Sequence, residues 1–191
     1  MKQFSYVSIV SSLIVAAGLM TVRMAQAQDC EDRVTSGGWI TPTPDTYANF
    51  GAGGGLHQGE LWGYLTYVDH ATSPPTVVSA QEVTAYCQGA CPPDGCAVRR
   101  ISYANATIRI GNTVQVCDVS VEVTDCGEPG TADTFAICIP CIGYCAGSVL
   151  GGDEKPSGGN IKLHAPDPGC GGLVPVCLID ELCPCFEDCV E

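Results

Sequence analysis

The carboxylates with the clearest potential for chemistry lie in one short segment. Asp125, Glu128 and Asp133 fall between two predicted strands, in a loop that also holds glycine and proline. Calcium takes about six to eight oxygen ligands, often from such loops, so these three residues form a candidate metal site and calcium is the one cofactor indicated. The spacing lacks the EF-hand pattern. The alternative is that the carboxylates accept hydrogen bonds from backbone amides of the turn.

Cysteines are the second chemical feature, and there are 14 of them. They fall into a body group of nine and a C-terminal group of five: Cys30, Cys87, Cys91, Cys96, Cys117, Cys126, Cys138, Cys141 and Cys145, then Cys170, Cys177, Cys183, Cys185 and Cys189. Both groups are odd in number, so complete pairing within the chain requires at least one disulfide between them. In an oxidising compartment disulfides are the default for such a chain.

Metal binding is the competing interpretation of the cysteines. Cys138 and Cys141 have zinc-knuckle spacing, and the five tail cysteines could form a cluster for a soft metal. No second CxxC follows at zinc-ribbon distance, and no histidine pair lies nearby. A cysteine left over after internal pairing would allow disulfide-linked self-assembly.

Catalytic and sugar-binding patterns are weaker. Asp69, His70 and His164 could form a polar cluster if their strands are neighbours, but no nucleophile motif accompanies them. A secreted hydrolase therefore stays a second alternative, and the sequence favours a protein without catalysis. Four aromatic residues could form a platform for a glycan, or could pack in the core: Trp39, Trp62, Tyr64 and Tyr67.

The N-terminus predicts export. Lys2 precedes an apolar stretch, and Ala25-Gln26-Ala27 fits signal peptidase, so residues 1–27 are predicted to be a signal peptide cleaved after Ala27. The apolar run is shorter than the roughly 20 residues that span a bilayer. The product is therefore expected to be secreted, extracellular or periplasmic, with no membrane span after cleavage. The full chain has a net charge of −13, and cleavage would remove Lys2 and Arg23 but no acid, which makes the product more negative still. Such a charge argues against nucleic acid as a partner.

The elements that must position these residues are strands. Short alternating segments separated by glycine and proline predict an all-β fold, an antiparallel β-sandwich stapled by disulfides. Residues 28–164 form this domain, and residues 165–191 form a cysteine-rich tail. The clearest hairpin joins 101–110 to 113–123 through Gly111-Asn112, with a bulge expected near Cys117. A turn over 140–143 would place Cys138 opposite Cys145, at a separation that a bridge can span.

The glycine run at 51–55 predicts a loop or an edge bend. Cys87 to Cys96 encloses Pro92-Pro93-Asp94-Gly95, a strong turn signal, and predicts a stapled protrusion.

Several motifs, taken in order, resemble a known family. They are Gly38-Trp39-Ile40, Asn49-Phe50-Gly51, the segment 63–70 (GYLTYVDH), the segment 125–130 (DCGEPG) with Asp133-Thr134-Phe135, and the segment 159–164 (GNIKLH). Together they resemble a bacterial secreted domain of unknown function found beside choice-of-anchor regions of surface proteins. The resemblance covers residues 37–164 and implies an extracellular, β-rich domain with no established activity.

The function expected from the sequence is that of a secreted, disulfide-rich structural or interaction module of the cell envelope or of an extracellular assembly. Its partner would be a protein or a surface glycan. The alternative is a metal-binding extracellular protein, with calcium in the acidic loop or a soft metal in the tail.

Overall fold

The computed structural model describes residues 30–89, 95–151, 157–164 and 174. These residues form ten strands, a single 3₁₀ turn and no α-helix. The strands are β1 (Asp32–Ile40), β2 (Ala48–His57), β3 (Glu60–Asp69), β4 (Thr76–Ala80), β5 (Glu82–Gln88), β6 (Ala97–Ile110), β7 (Thr113–Asp125), β8 (Thr134–Ile139), β9 (Tyr144–Val149) and β10 (Gly158–His164). The 3₁₀ turn, Pro140–Ile142, joins β8 to β9. No helix in these segments is long and apolar enough to cross a membrane.

All ten strands belong to one antiparallel sheet, in the order β10-β1-β2-β3-β4-β6-β7-β8-β9, with β5 also paired to β6. The all-β, antiparallel prediction is confirmed, whereas two separate sandwiched sheets are not. The sheet is continuous because the 14-residue strand β6 pairs with β4, β5 and β7 and so connects what would otherwise be two sheets. It curls into a half-barrel whose inner face holds the core.

Aromatic stacking marks how far the sheet curls. Phe50 of β2 stacks on Phe135 of β8 with ring centroids 3.9 Å apart, and Tyr67 of β3 lies 6.4 Å from the same ring. Strands β2 and β8 stand near opposite ends of the sheet order, so the two ends face each other across the core. Burial of Phe135, which is fully enclosed, contributes about 3–5 kcal/mol as judged by truncation of such side chains.

The predicted hairpin is correct, and the extra residue of its bulge lies on β6. Gly111, with φ of 59°, and Asn112 turn β6 into β7. Between Tyr103 and Ala106 the register shifts, so that two residues of β6 stand opposite Asp118 of β7; the bulge therefore lies next to Cys117, as predicted, but its extra residue is on β6. Asn105, in the left-handed region at φ 53°, supplies the bulge conformation, one that asparagine adopts more readily than most residues.

The glycine run is not a loop: it lies in the interior of β2. Alternate side chains of this strand, Phe50 and Ala52, point into the core and are buried. The glycines are required by their neighbours, since a Cβ on Gly53 would stand 2.9 Å from the ring of Tyr64 and one on Gly54 would stand 2.7 Å from Ile101. Glycine thus serves here as space for side chains of adjacent strands rather than as a flexible hinge.

Disulfides staple the body as predicted. Cys96 joins Cys126, and Cys117 joins Cys141. Their sequence separations of 30 and 24 residues correspond, in the chain-entropy model, to about 3.5 kcal/mol of stabilisation each. Three more body cysteines are also disulfide-bonded: Cys30, Cys87 and Cys138.

The CxxC pair is therefore engaged in disulfides, which removes the thiolates that zinc would need. Cys138 does lie opposite Cys145 in the β8–β9 register, as predicted. Their sulfur atoms are 3.1 Å apart, however, so the predicted bridge between these two residues is not formed. The predicted signal peptide, residues 90–94 of the predicted protrusion, most of the proposed tail and its five cysteines lie outside the described residues.

Candidate functional site: the outer face of the sheet

The acidic loop, the first candidate site, ties the two ends of the sheet together. Asp133 is fully buried, and its two oxygens accept the backbone N–H groups of Cys126, at 2.9 Å, and Ile161, at 2.8 Å. Asp125 accepts the N–H groups of Gly127, at 2.8 Å, and Leu163, at 2.6 Å. This is the backbone-capping role that stood as the alternative to calcium.

The two β10 donors explain why both aspartates are needed. Residues 161 and 163 alternate along edge strand β10, so their N–H groups point to the same side, away from the partner strand β1. Asp125 and Asp133 supply the acceptors that a neighbouring strand would otherwise provide. Glu128 sits further out, where the amide of Asn160 donates to it at 3.4 Å.

The described residues contain no group of three His, Cys, Asp or Glu side chains arranged to hold a metal ion. A calcium ion at this loop would have to compete with four main-chain donors for the oxygens of Asp125 and Asp133. The calcium site stays a prediction.

The proposed polar cluster of Asp69, His70 and His164 is not assembled. Asp69 is buried and accepts hydrogen bonds from the Tyr144 hydroxyl, at 2.8 Å, and from the Ala71 N–H, at 2.7 Å. His70 contacts Asn49 and His164 contacts Thr35, each through Nε2. Counted along the paired strands, the two histidines stand about eight residues or 26 Å apart.

A buried ion pair joins β1 to β6, two strands that are not neighbours in the sheet. The Arg99 guanidinium donates to both oxygens of Asp32, at 3.1 and 3.0 Å, and to the carbonyl of Val98. The Tyr86 hydroxyl donates to Asp32 at 2.7 Å, and burial, with this hydrogen bond, raises the pKa of Tyr86 well above its usual range. Each polar atom of the group is satisfied, so its role is to connect β1 to β5 and β6.

The remaining candidate surface is the outer face of strands β10, β1, β2, β3 and β4 with the ends of β6 and β7. Beyond one end of it, His57 and Glu60 continue the same face, and four rows of cross-strand neighbours form its central part. The rows are Gly158, Trp39, Asn49, Val68, Val77, Arg109 and Val114; Asn160, Gly37, Gly51, Thr66, Ser79, Thr107 and Val116; Lys162, Thr35, Gly53 and Tyr64; and His164, Arg33, Gly55 and Trp62. We call these 22 positions the acid-free face, because none of them is Asp or Glu.

Aromatic rings stand out of this face. Trp39 is 42% exposed and Tyr64 is 39% exposed, and Trp62 meets Tyr64 edge-to-face with centroids 5.9 Å apart. Each exposed ring lies over a cross-strand glycine: Tyr64 over Gly53, and Trp39 over Gly158. This pairing holds the rings flat against the sheet while one side of each ring remains in solvent.

Three of the four aromatic residues that the sequence suggested for a platform, Trp39, Trp62 and Tyr64, lie on this face. Tyr67, the fourth, faces the core and is completely buried, because odd-numbered residues of β3 point inward. Its hydroxyl hydrogen-bonds that of Tyr144, and burial raises the pKa of Tyr67. Sequence reasoning did not single out two valines of the same face, Val114 and Val116, which are 54% and 62% exposed.

Neither the protein-family models, nor the curated proteins, nor the solved structures contain a match to this chain.

Proposed function

We propose that this protein is a secreted, non-enzymatic interaction module of the cell envelope or of an extracellular assembly, and that it binds its partner through the acid-free face. The observation that carries the proposal is the exposure of Trp39 and Tyr64 among the 22 positions of the outer face that hold no carboxylate. Exposed aromatic rings on a rigid surface are typical anchors for a partner.

The stapled body supports a binding role. A sheet crossed by disulfides and by the Asp125 and Asp133 hydrogen bonds offers a surface that changes little when a ligand arrives, which lowers the entropy cost of association. Disulfides also accord with the predicted export into an oxidising compartment. The resemblance to a bacterial surface-protein domain points to the same setting.

A hydrolase is less well supported. Its candidate residues are separated, and Asp69, the candidate acid, is buried in hydrogen bonds to Tyr144 and to the backbone. A general base must reach the proton that it abstracts, whereas the carboxylate of Asp69 is buried and already accepts two hydrogen bonds.

Two measurements test the proposal. First, the intact mass of the exported protein, before and after reduction and alkylation, is expected to show a start at Gln28 and cysteines joined in disulfides. A product that retains residues 1–27, or that carries 14 free thiols, contradicts secretion in the proposed form.

Second, binding to purified envelope fractions of the producing organism is compared for three proteins: the wild type, the variant Trp39→Ala/Tyr64→Ala, and the control Val149→Thr. Val149 is 47% exposed but lies on β9, outside the acid-free face. The proposal expects binding by the wild type and the control, and at least a tenfold loss in the double variant. Equal binding by all three proteins excludes this face as the contact surface.

A further inference from the structure

Charge on the acid-free face is opposite in sign to charge on the chain as a whole. The chain has 21 acidic residues against eight Lys and Arg. The face has no acid and three cations, Arg33, Arg109 and Lys162. Acidic residues border it: Glu31 pairs with Arg33 at 3.2 Å, Glu60 lies next to Trp62 on the outer side of β3, and Glu128 contacts Asn160.

Two of these cations have no counter-ion among the described residues. Within the described part of the chain, neither Arg109 nor Lys162 forms an ion pair, although Arg99 and Arg100 on the neighbouring stretch of β6 are both paired with carboxylates. An exposed cation acts over about 8 Å at physiological salt, so it attracts an anion locally even on a protein of negative net charge.

The aromatic rings and the cations are spread over a distance that exceeds one sugar ring. Trp39, Tyr64 and Lys162 form a triangle whose sides, from strand rise and strand spacing, are about 14–16 Å. A ligand that engages all three must be an extended chain. Between them stand hydroxyl and amide groups of Thr66 and Asn160, which suit sugar hydroxyls.

We propose that the acid-free face binds an anionic polysaccharide, a chain of sugar rings that carry carboxylates. The rings of Trp39 and Tyr64 stack against the faces of sugars, and Lys162 and Arg109 pair with carboxylates. This inference rests on the proposed function and adds the chemistry of the partner. Charge complementarity is the argument for it: a neutral glycan would use the rings equally well but would leave the absence of acids and the two unpaired cations without a role.

Affinity electrophoresis of the oxidised protein in native gels tests the inference with three polymers. Carboxymethylcellulose carries sugar rings and carboxylates, hydroxyethylcellulose carries the same backbone without charge, and poly-L-glutamate carries carboxylates without sugars. Mobility in each gel is divided by mobility in a gel without polymer, so that the charge change of a variant cancels. We expect retardation by carboxymethylcellulose alone, and weakening as NaCl is raised.

The variants separate the two contributions. Lys162→Gln/Arg109→Gln removes exposed charge without removing core packing, and is expected to lower affinity about tenfold, equivalent to 1.4 kcal/mol, and to flatten the salt dependence. Trp39→Ala/Tyr64→Ala is expected to abolish retardation, and Val149→Thr to retain it. Thermal unfolding of every variant verifies that the sheet is intact.

Each contrary outcome identifies what fails. Equal retardation by hydroxyethylcellulose, or by poly-L-glutamate, overturns the anionic-polysaccharide assignment while the proposed function stands. Binding to envelope fractions that persists after polysaccharide is removed, but is lost after proteolysis, means that the partner is a protein. Concentration-dependent dimerisation in sedimentation that Trp39→Ala/Tyr64→Ala abolishes would assign the face to a second copy of the chain. No face-dependent binding to any fraction or polymer overturns both proposals.

Discussion

Replacing Asp133 by asparagine tests the idea that the acidic loop closes the sheet. The substitution Asp133→Asn keeps the shape of the side chain but exchanges one acceptor oxygen for an NH₂ group. That group must then face the N–H of either Cys126 or Ile161, the two donors that now bond the carboxylate. Because Asp133 is fully buried, water cannot replace the lost acceptor.

The magnitude follows from these contacts. One buried donor left without an acceptor costs about 1–3 kcal/mol, and the remaining hydrogen bond loses the strength that the charge gave it. A loss of about 3 kcal/mol is therefore expected, a large share of the roughly 5–15 kcal/mol that stabilises a domain. For a chain of this size the melting temperature should fall by about 6–12 °C.

The assay is thermal and urea unfolding of the oxidised protein, with excess CaCl₂ or with EDTA. The control is Glu60→Gln, which removes one charge from an exposed position of β3 and should change stability by less than about 0.5 kcal/mol. Hydrogen exchange adds a local measurement: the Ile161 amide should be protected in the wild type and exchange faster in Asp133→Asn.

Two results would refute the reasoning. If Asp133→Asn is as stable as the control, the carboxylate does not close the sheet. If calcium raises the melting temperature of the wild type but not that of Asp133→Asn, the loop is a calcium site, and metal ligation replaces backbone capping as its role.

Three further predictions concern the body of the sheet. Arg99→Met should lower the free energy of unfolding in urea by about 3–5 kcal/mol, because it leaves Asp32 charged and buried. Adding the substitution Asp32→Leu should recover part of that loss. Additive losses from the two substitutions would contradict the buried pair. Burial raises the pKa of Tyr103 above its unfolded-state value of about 10, so the contribution of the protonated hydroxyl to stability is complete below pH 10 and is lost as the pH rises further. Tyr103→Phe should make this fall in stability shallower by about 1.4 kcal/mol per pH unit. An unchanged slope would refute the assignment. Cys96→Ser/Cys126→Ser should lose about 3.5 kcal/mol relative to the oxidised wild type, and peptide mapping of the wild type should recover the Cys96–Cys126 link.

Local patterns predicted the parts of the fold that depend on neighbours along the chain. The alternation of Val119, Val121 and Val123 identified the buried side of β7, and all three are buried. The turn at Gly111-Asn112 and the register of Cys138 with Cys145 were also correct. In each case the deciding interactions connect residues that a short turn brings together.

Predictions that depended on partners far along the chain failed or stayed incomplete. The glycines of β2 suggested a loop, because the rings that fill the space above them belong to β3 and the side chain below belongs to β6. The roles of Asp125 and Asp133 needed β10, which lies about 30 residues further along the chain. No local pattern encodes which distant donor a carboxylate meets.

The sequence by itself determined that the chain is all-β, that cysteines staple it and that it is strongly acidic, since composition and alternation carry these properties. Only the tertiary structure decided that the strands form one curled sheet, that Asp133 accepts hydrogen bonds from the backbone, and that one patch of the outer face carries no acid. The physical reason is that cross-strand register sets which side chains become neighbours, and register is a property of the paired chain rather than of any one strand.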